Sequence, residues 1–149
     1  MPPLATRLHP PFLHFPIASW TAGTGLDLAL AAGLGLPGPD GHALAHGLLW
    51  AGVLSALPTA AAGLVDFARL PRSVQDSRFL KRHMLAMSVA FLLYFAAAAW
   101  RLEAGAFAAP AAPAMLLLEA AGLAALVAGG HWGGRVVFDE LPRADPPGP

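Results

Sequence analysis

Residues 43–67 read ALAHGLLWAGVLSALPTAAAGLVDF, and Asp66 is the only formal charge in the run. A helix needs roughly 20 apolar residues to cross about 30 Å of hydrocarbon, and this stretch exceeds that. It is apolar on every side, whereas a strand of a membrane barrel alternates in polarity over roughly 10 residues. The stretch therefore reads as a transmembrane helix, with Pro58 predicting a kink inside it.

Three more runs of similar length flank it. Residues 15–36 carry Asp27 as their only charge and end in the breaker cluster Pro37-Gly38-Pro39-Asp40-Gly41. Residues 80–101 form the third span, with Asp76 or Ser77 as its N-cap. Residues 114–134 form the fourth and close in Gly129-Gly130-His131-Trp132-Gly133-Gly134. Short connections join them. The fold expected is an all-α integral membrane bundle of four transmembrane helices, one domain over residues 1–138. The polar, proline-rich tail 139–149 is expected to be disordered. No internal repeat is evident in the residues themselves.

Composition agrees. Only 12% of the 149 residues are charged, 56% are hydrophobic, and the mean hydropathy is +0.58. So few charges cannot cover a water-facing surface, and lipid is the natural solvent for this one. The charges are also unevenly placed. With four spans, Arg7, Arg69, Arg72, Arg78, Lys81, Arg82, Arg135 and Arg143 share one face, against Arg101 alone on the other. Cation excess marks the cytoplasmic side, so both termini are expected there. The first run is too long for a signal-peptide core of about 7–15 residues and reads as a retained helix. The absence of cysteine excludes disulfides, thiolate metal sites and covalent c-type haem attachment. A single short basic cluster beside apolar spans does not suit nucleic acid. No nucleophile–base–orienter set is visible, so an enzyme is not expected.

The polar residues collect at two levels. His9, His14, Asp66, His83 and His131 all belong to the cytoplasmic helix ends. Imidazoles on different helices at one depth are what a b-type haem requires, since its iron takes two axial nitrogens. The pair expected to hold the metal is His14 and His83, each in the first turn of a helix running the same way. His9 and His131 are further candidates, and Arg82 is placed to meet a propionate or a quinone head group. Asp66 reads as a solvated helix end. Towards the opposite leaflet, Asp27 is expected a little past the midplane, where a carboxylate costs roughly 2.5–3.5 kcal/mol. It shares a stripe with Trp20 and Thr24, and His46 and Glu119 are available partners. An Asp27–His46 hydrogen bond locking the first two helices is the simplest expectation.

The motifs His9-Pro10…His14-Phe15-Pro16-Ile17, Gly63-Leu64-Val65-Asp66, Arg82-His83 and Gly129-Gly130…Gly133-Gly134-Arg135-Val136-Val137, with Asp27, cover nearly the whole chain. Together they resemble the bacterial four-helix inner-membrane family catalogued as domain of unknown function 2231. Similar proteins end helix four with a Tyr-x-His-Gly-type segment, where this chain has Phe138-Asp139-Glu140-Leu141. Members are sometimes joined to Rieske-type iron–sulfur domains, which implies membrane redox chemistry. Three roles follow as expectations: an electron-transport subunit with haem b or quinone at the histidines, a structural or assembly subunit with membrane protein partners or further copies of itself, and a small proton-coupled transporter using Asp27.

Overall fold

The structure, a computed structural model, describes residues 9–34, 39–103 and 110–144. Four long helices dominate: α1 (His9–Ala31), α2 (Pro39–Ala68), α4 (Arg78–Glu103) and α5 (Pro113–Arg135), with short α3 (Arg72–Gln75) between α2 and α4. A π turn (Val136–Glu140) carries α5 into α6 (Leu141–Ala144). This is the all-α membrane bundle expected. By length and apolarity α2, α4 and the continuous helix from α5 to α6 can each cross a bilayer. Helix α1 is long enough too; its lower hydropathy comes from polar residues, of which Thr24 and Asp27 are buried.

Helix α1 starts at His9, six residues before the apolar run suggested. Prolines in a first turn are tolerated because the N–H groups there have no intrahelical acceptor. Pro16, further in, frees the Phe12 carbonyl four residues back, and Thr59 Oγ1 from α2 lies 3.2 Å from that oxygen. The helix stops earlier than expected. Gly33 adopts φ +74°, Gly33 N–H donates to Leu30 O and Leu34 N–H to Ala29 O, the two bonds of a Schellman cap that glycine permits. Of the breaker cluster, Pro37 and Gly38 lie outside the described residues, while Pro39, Asp40 and Gly41 already belong to α2.

At the other end, Gln75 Nε2 donates to the Phe67 and Leu70 carbonyls, 3.2 and 2.9 Å away, closing α2. Ser77, rather than Asp76, caps α4: its Oγ accepts from Phe79 and Leu80 N–H, each at 3.2 Å. The tail expected to be disordered from Asp139 is helical to Ala144. Leu141 is buried with Val74, Leu80 and Val136 in a small cluster, and that apolar contact is what orders it. Leu141→Ala should cost about 2 kcal/mol, low in the range for core leucines, measured as loss of thermal stability in detergent.

The helices form a ring in the order α1, α2, α4, α5, the tightest packing being within the α1/α2 and α4/α5 hairpins. Across the ring, α1 and α4 meet side chain to side chain on the central axis at three levels. The His9 and His83 rings lie 6.4 Å apart, Trp20 stacks on Tyr94 at 4.7 Å and 5°, and Asp27 pairs with Arg101 at 2.9 Å. Each pair is 74 residues apart in sequence. The second helices repeat with an offset of 70: Gly52 takes the Trp20 ring as Gly122 takes Tyr94, and Gly63 takes His9 as Gly133 takes His83. Even the acceptors match, His9 Nδ1 reaching Thr59 O and His83 Nδ1 reaching Gly129 O. The bundle is thus two hairpins of one plan, run in parallel and related by a pseudo-two-fold axis along the helices. Parallel repeats about the membrane normal are a known membrane architecture. The core is built on that axis, with Trp20, Leu49, Val53, Ala90, Tyr94 and Leu126 buried around it.

Candidate functional site

The chemistry sits at the two ends of the axis. Positions 9 and 27 are 18 residues apart, about 27 Å at 1.5 Å per residue, close to the thickness of the hydrocarbon.

At the histidine end, His9 is fixed twice. Its backbone N–H donates to Asp66 Oδ2 at 2.9 Å, and its Nδ1 lies 3.0 Å from Thr59 O. Asp66 is therefore not simply a solvated helix end: it satisfies a donor that the start of α1 would otherwise leave open. His83 Nδ1 lies 2.8 Å from Gly129 O. A carbonyl only accepts, so in both rings Nδ1 carries a proton, and in the neutral imidazole the lone pair is then on Nε2. Neither Nε2 has a hydrogen-bond partner among the described residues. Each ring lies on a glycine; a Cβ at Gly63 would stand 3.0 Å from His9 Nδ1, and one at Gly133 would stand 2.9 Å from His83 Nδ1. The two rings are nearly perpendicular, at 86°.

A proton on one nitrogen held by a carbonyl is the outer-shell pattern of a metal-binding histidine. Among the described residues, no three His, Cys, Asp or Glu side chains form a group that could hold a metal ion.

The pairing expected between His14 and His83 is not the one formed. Because α1 begins at His9, that residue is the first-turn imidazole. His14 lies five residues on, about 7.5 Å deeper and roughly 140° around the helix, and is exposed. His131 is exposed as well and lines a groove described below. Arg82 is exposed, its guanidinium 5.9 Å above the Trp132 ring.

At the opposite end, Arg101 grips Asp27 with two hydrogen bonds, Nη1 to Oδ2 at 3.0 Å and Nη2 to Oδ1 at 2.9 Å. Both residues are 1% exposed. Asp27 lies four residues before the end of α1, nearer that end than the run from Phe15 suggested. Its expected bond to His46 gives way to this ion pair; a bidentate guanidinium compensates a buried carboxylate far better than one imidazole nitrogen. His46 Nε2 lies 3.0 Å from both Ala98 O and Trp50 Nε1. It can serve one at a time, donating to the carbonyl when protonated or accepting from the indole when bare. Glu119, 1% exposed, faces Asp27, Arg101 and Thr24, and its Oε2 has no hydrogen-bond partner among the described residues. Thr24 Oγ1 is 3.3 Å from Tyr94 Oη.

Arg101 was invisible as a site residue because, at the edge of an apolar run, it reads as a loop cation. Among the described residues, every exposed Lys or Arg lies at the histidine end. The signal that could have found it is the shared 74-residue interval from His9 to His83 and from Asp27 to position 101.

The two-fold is broken along one side. Between α2 and α4, Trp50, Phe91 and Phe95 fill the seam, Trp50 meeting Phe95 edge-on at 6.0 Å. Their repeat mates are Ala120, Ile17 and Thr21. Smaller side chains leave a groove of about 680 Å³ between α1 and α5, running from Thr24 and Ala120 past Val127 to His131 and Trp132.

A family model described as a predicted membrane protein, DUF2231, matches residues 5–141. The chain belongs to the DUF2231 family. No curated protein and no solved structure matches it. The DUF2231 match takes in both hairpins, so the internal two-fold and both polar clusters lie inside the family unit.

Proposed function

We propose that this DUF2231 protein is a redox subunit of the bacterial inner membrane that holds one metal centre, the iron of a b-type haem, between His9 and His83. The observation that carries the reading is the matched pair of imidazoles, each with Nδ1 fixed on a backbone carbonyl and Nε2 bare, 6.4 Å apart on the bundle axis. When bound, such a group supplies one-electron transfer. The chain's own part is positional. Thr59 O and Gly129 O set both tautomers and both ring orientations, Asp66 anchors the start of α1, and Gly63 and Gly133 let the rings lie against α2 and α5. The histidine end faces the cytoplasm in this reading, because the exposed cations gather there.

Protein purified in mild detergent from haem-replete cells should show a Soret band that shifts on reduction. His9→Ala and His83→Ala should each abolish it, while His14→Ala leaves it in place. Loss in His14→Ala with retention in His9→Ala would return the site to the pair suggested by the sequence. A colourless preparation without bound iron or copper by elemental analysis would sink the proposal.

A further inference from the structure

Among the described residues, one arginine and two carboxyl groups are buried together at the Asp27 end of the axis, and the arithmetic of charge there leads to a second site. Arg101 commits both terminal nitrogens to Asp27. That pair is internally neutral. Glu119 stands beside it with one oxygen lacking a hydrogen-bond partner among the described residues, 1% exposed. An ionised Glu119 would place an uncompensated negative charge next to Asp27, in surroundings where an unpaired charge is expensive. A neutral carboxylic acid would not.

The repeat shows that the scaffold does not require this carboxyl. The mate of Glu119 is Leu49, equally buried at 1%. The α1/α2 hairpin therefore packs the same place with a hydrocarbon side chain. Departures from the two-fold gather at this level: Thr24 stands opposite the mate Ala98, and His46 has Leu116 as its mate. Polar groups have been added here to a plan that closes without them.

We propose that Glu119 is a proton-carrying site that is protonated at rest and exchanges its proton with water at the Asp27 end of the bundle. The groups facing it are Asp27 and Thr24 from α1 and Arg101 and Tyr94 from α4. His46 is the titratable group that α2 buries near this level. Arg101 turns both terminal nitrogens to Asp27, which leaves Glu119 as the carboxyl to carry the proton, and Thr24 offers a hydroxyl between Glu119 and the Tyr94 phenol. Glu119 is six residues into α5, about 9 Å from its first residue at 1.5 Å per residue, so the exchange path to that face is short. The site is independent of the metal reading, being at the other end of the axis, and failure of either leaves the other standing.

The test is infrared spectroscopy of the full chain reconstituted in lipid. A carboxylic-acid C=O band should be present at neutral pH, shift when the sample is moved into D2O, and fade reversibly as the pH is raised. It should be absent in Glu119→Gln and in Glu119→Leu, the second copying the repeat mate and therefore expected to fold even where the amide does not. Glu119→Leu should keep the thermal stability of the parent, as the loss of a structural salt-bridge partner would not allow. Three results would overturn the proposal: no acid band at neutral pH, a band that survives in both variants, or a band that neither shifts in D2O nor fades at high pH.

Discussion

Arg101→Leu is expected to be among the most destabilising single substitutions in this chain, costing about 3–5 kcal/mol. It leaves the Asp27 side chain buried without the guanidinium that holds both of its oxygens. Asp27→Leu should cost less, because Glu119 faces Arg101 and can take over as its carboxylate. The asymmetry between the two variants is itself a prediction. The double variant Asp27→Leu/Arg101→Leu should recover much of the loss, since replacing both members of a buried ion pair with apolar groups is often close to neutral. Because positions 27 and 101 are repeat mates meeting on the axis, the exchanged pair Asp27→Arg/Arg101→Asp should also fold better than either single reversal. Thermal unfolding in detergent, followed by the fraction remaining monodisperse, reads every one of these proteins. Equal losses in the two single leucine variants would show that Glu119 does not act as the reserve partner.

The pair matters beyond stability. A bundle of two like hairpins could assemble as two copies of either one, and the level of Asp27 and Arg101 distinguishes them. Two arginines or two aspartates on the axis would repel at close range, and one of each attracts. The opposite charges thus favour joining unlike halves, and Glu119, Thr24, Ala120 and Thr21 differ from their repeat mates as well.

The membrane fold was legible because its signal is cumulative. Each span is long, and no single residue decides it; the bundle would read the same with several substitutions. Helix ends were less legible. Pro10 and Pro11 look like breakers but are compatible with a first turn, and Gly33 looks like one more small residue in an apolar run until its φ of +74° is known. The ordered end of the chain was hidden for a related reason: Leu141 is one leucine among polar neighbours, and only contact with Val74 and Leu80, more than 60 positions away, gives it a core to join.

The sites show the same division. Depth along a helix can be counted, so His9, His14, His83 and His131 could be assigned to one end from spacing. Azimuth depends on where the helix starts, and a shift of six residues exchanged His14 for His9. Partners across the bundle could not be counted at all. Asp27 was recognisable as a residue in need of compensation, but Arg101, Tyr94 and Gly129 O reach their partners through a register that emerges only when two hairpins are laid side by side. Few identities link those hairpins. What they share is a geometry of large ring against glycine, which substitution of Trp20 by Tyr94 preserves while erasing the resemblance in letters.

That geometry gives the second large prediction, at Gly52. A Cβ there would lie 2.4 Å from Trp20 Cδ1 and Nε1, well inside contact distance, and the indole cannot retreat. It is 1% exposed, stacked on Tyr94 along one face and donating from Nε1 to Leu49 O at 3.2 Å. In lipid, close approach at small residues is what favours helix association, so prising α1 from α2 here removes the main source of hairpin stability. Gly52→Val should cost at least the top of the about 1–3 kcal/mol typical of overpacking, and Gly52→Ala somewhat less. The mate provides the control. A Cβ at Gly122 would stand 2.8 Å from the Tyr94 ring, a milder clash, so Gly122→Ala should lose less than Gly52→Ala. Reducing the ring should relieve the first clash, with Trp20→Phe partly rescuing Gly52→Ala but not Gly122→Ala. Stability ranked in that order, by thermal unfolding of the variants in one detergent, would tie the hairpin to its ring-on-glycine contact. Rescue of both alanine variants by Trp20→Phe would instead mean that the stack on the axis, shared by the two halves, is what the added methyl groups disturb.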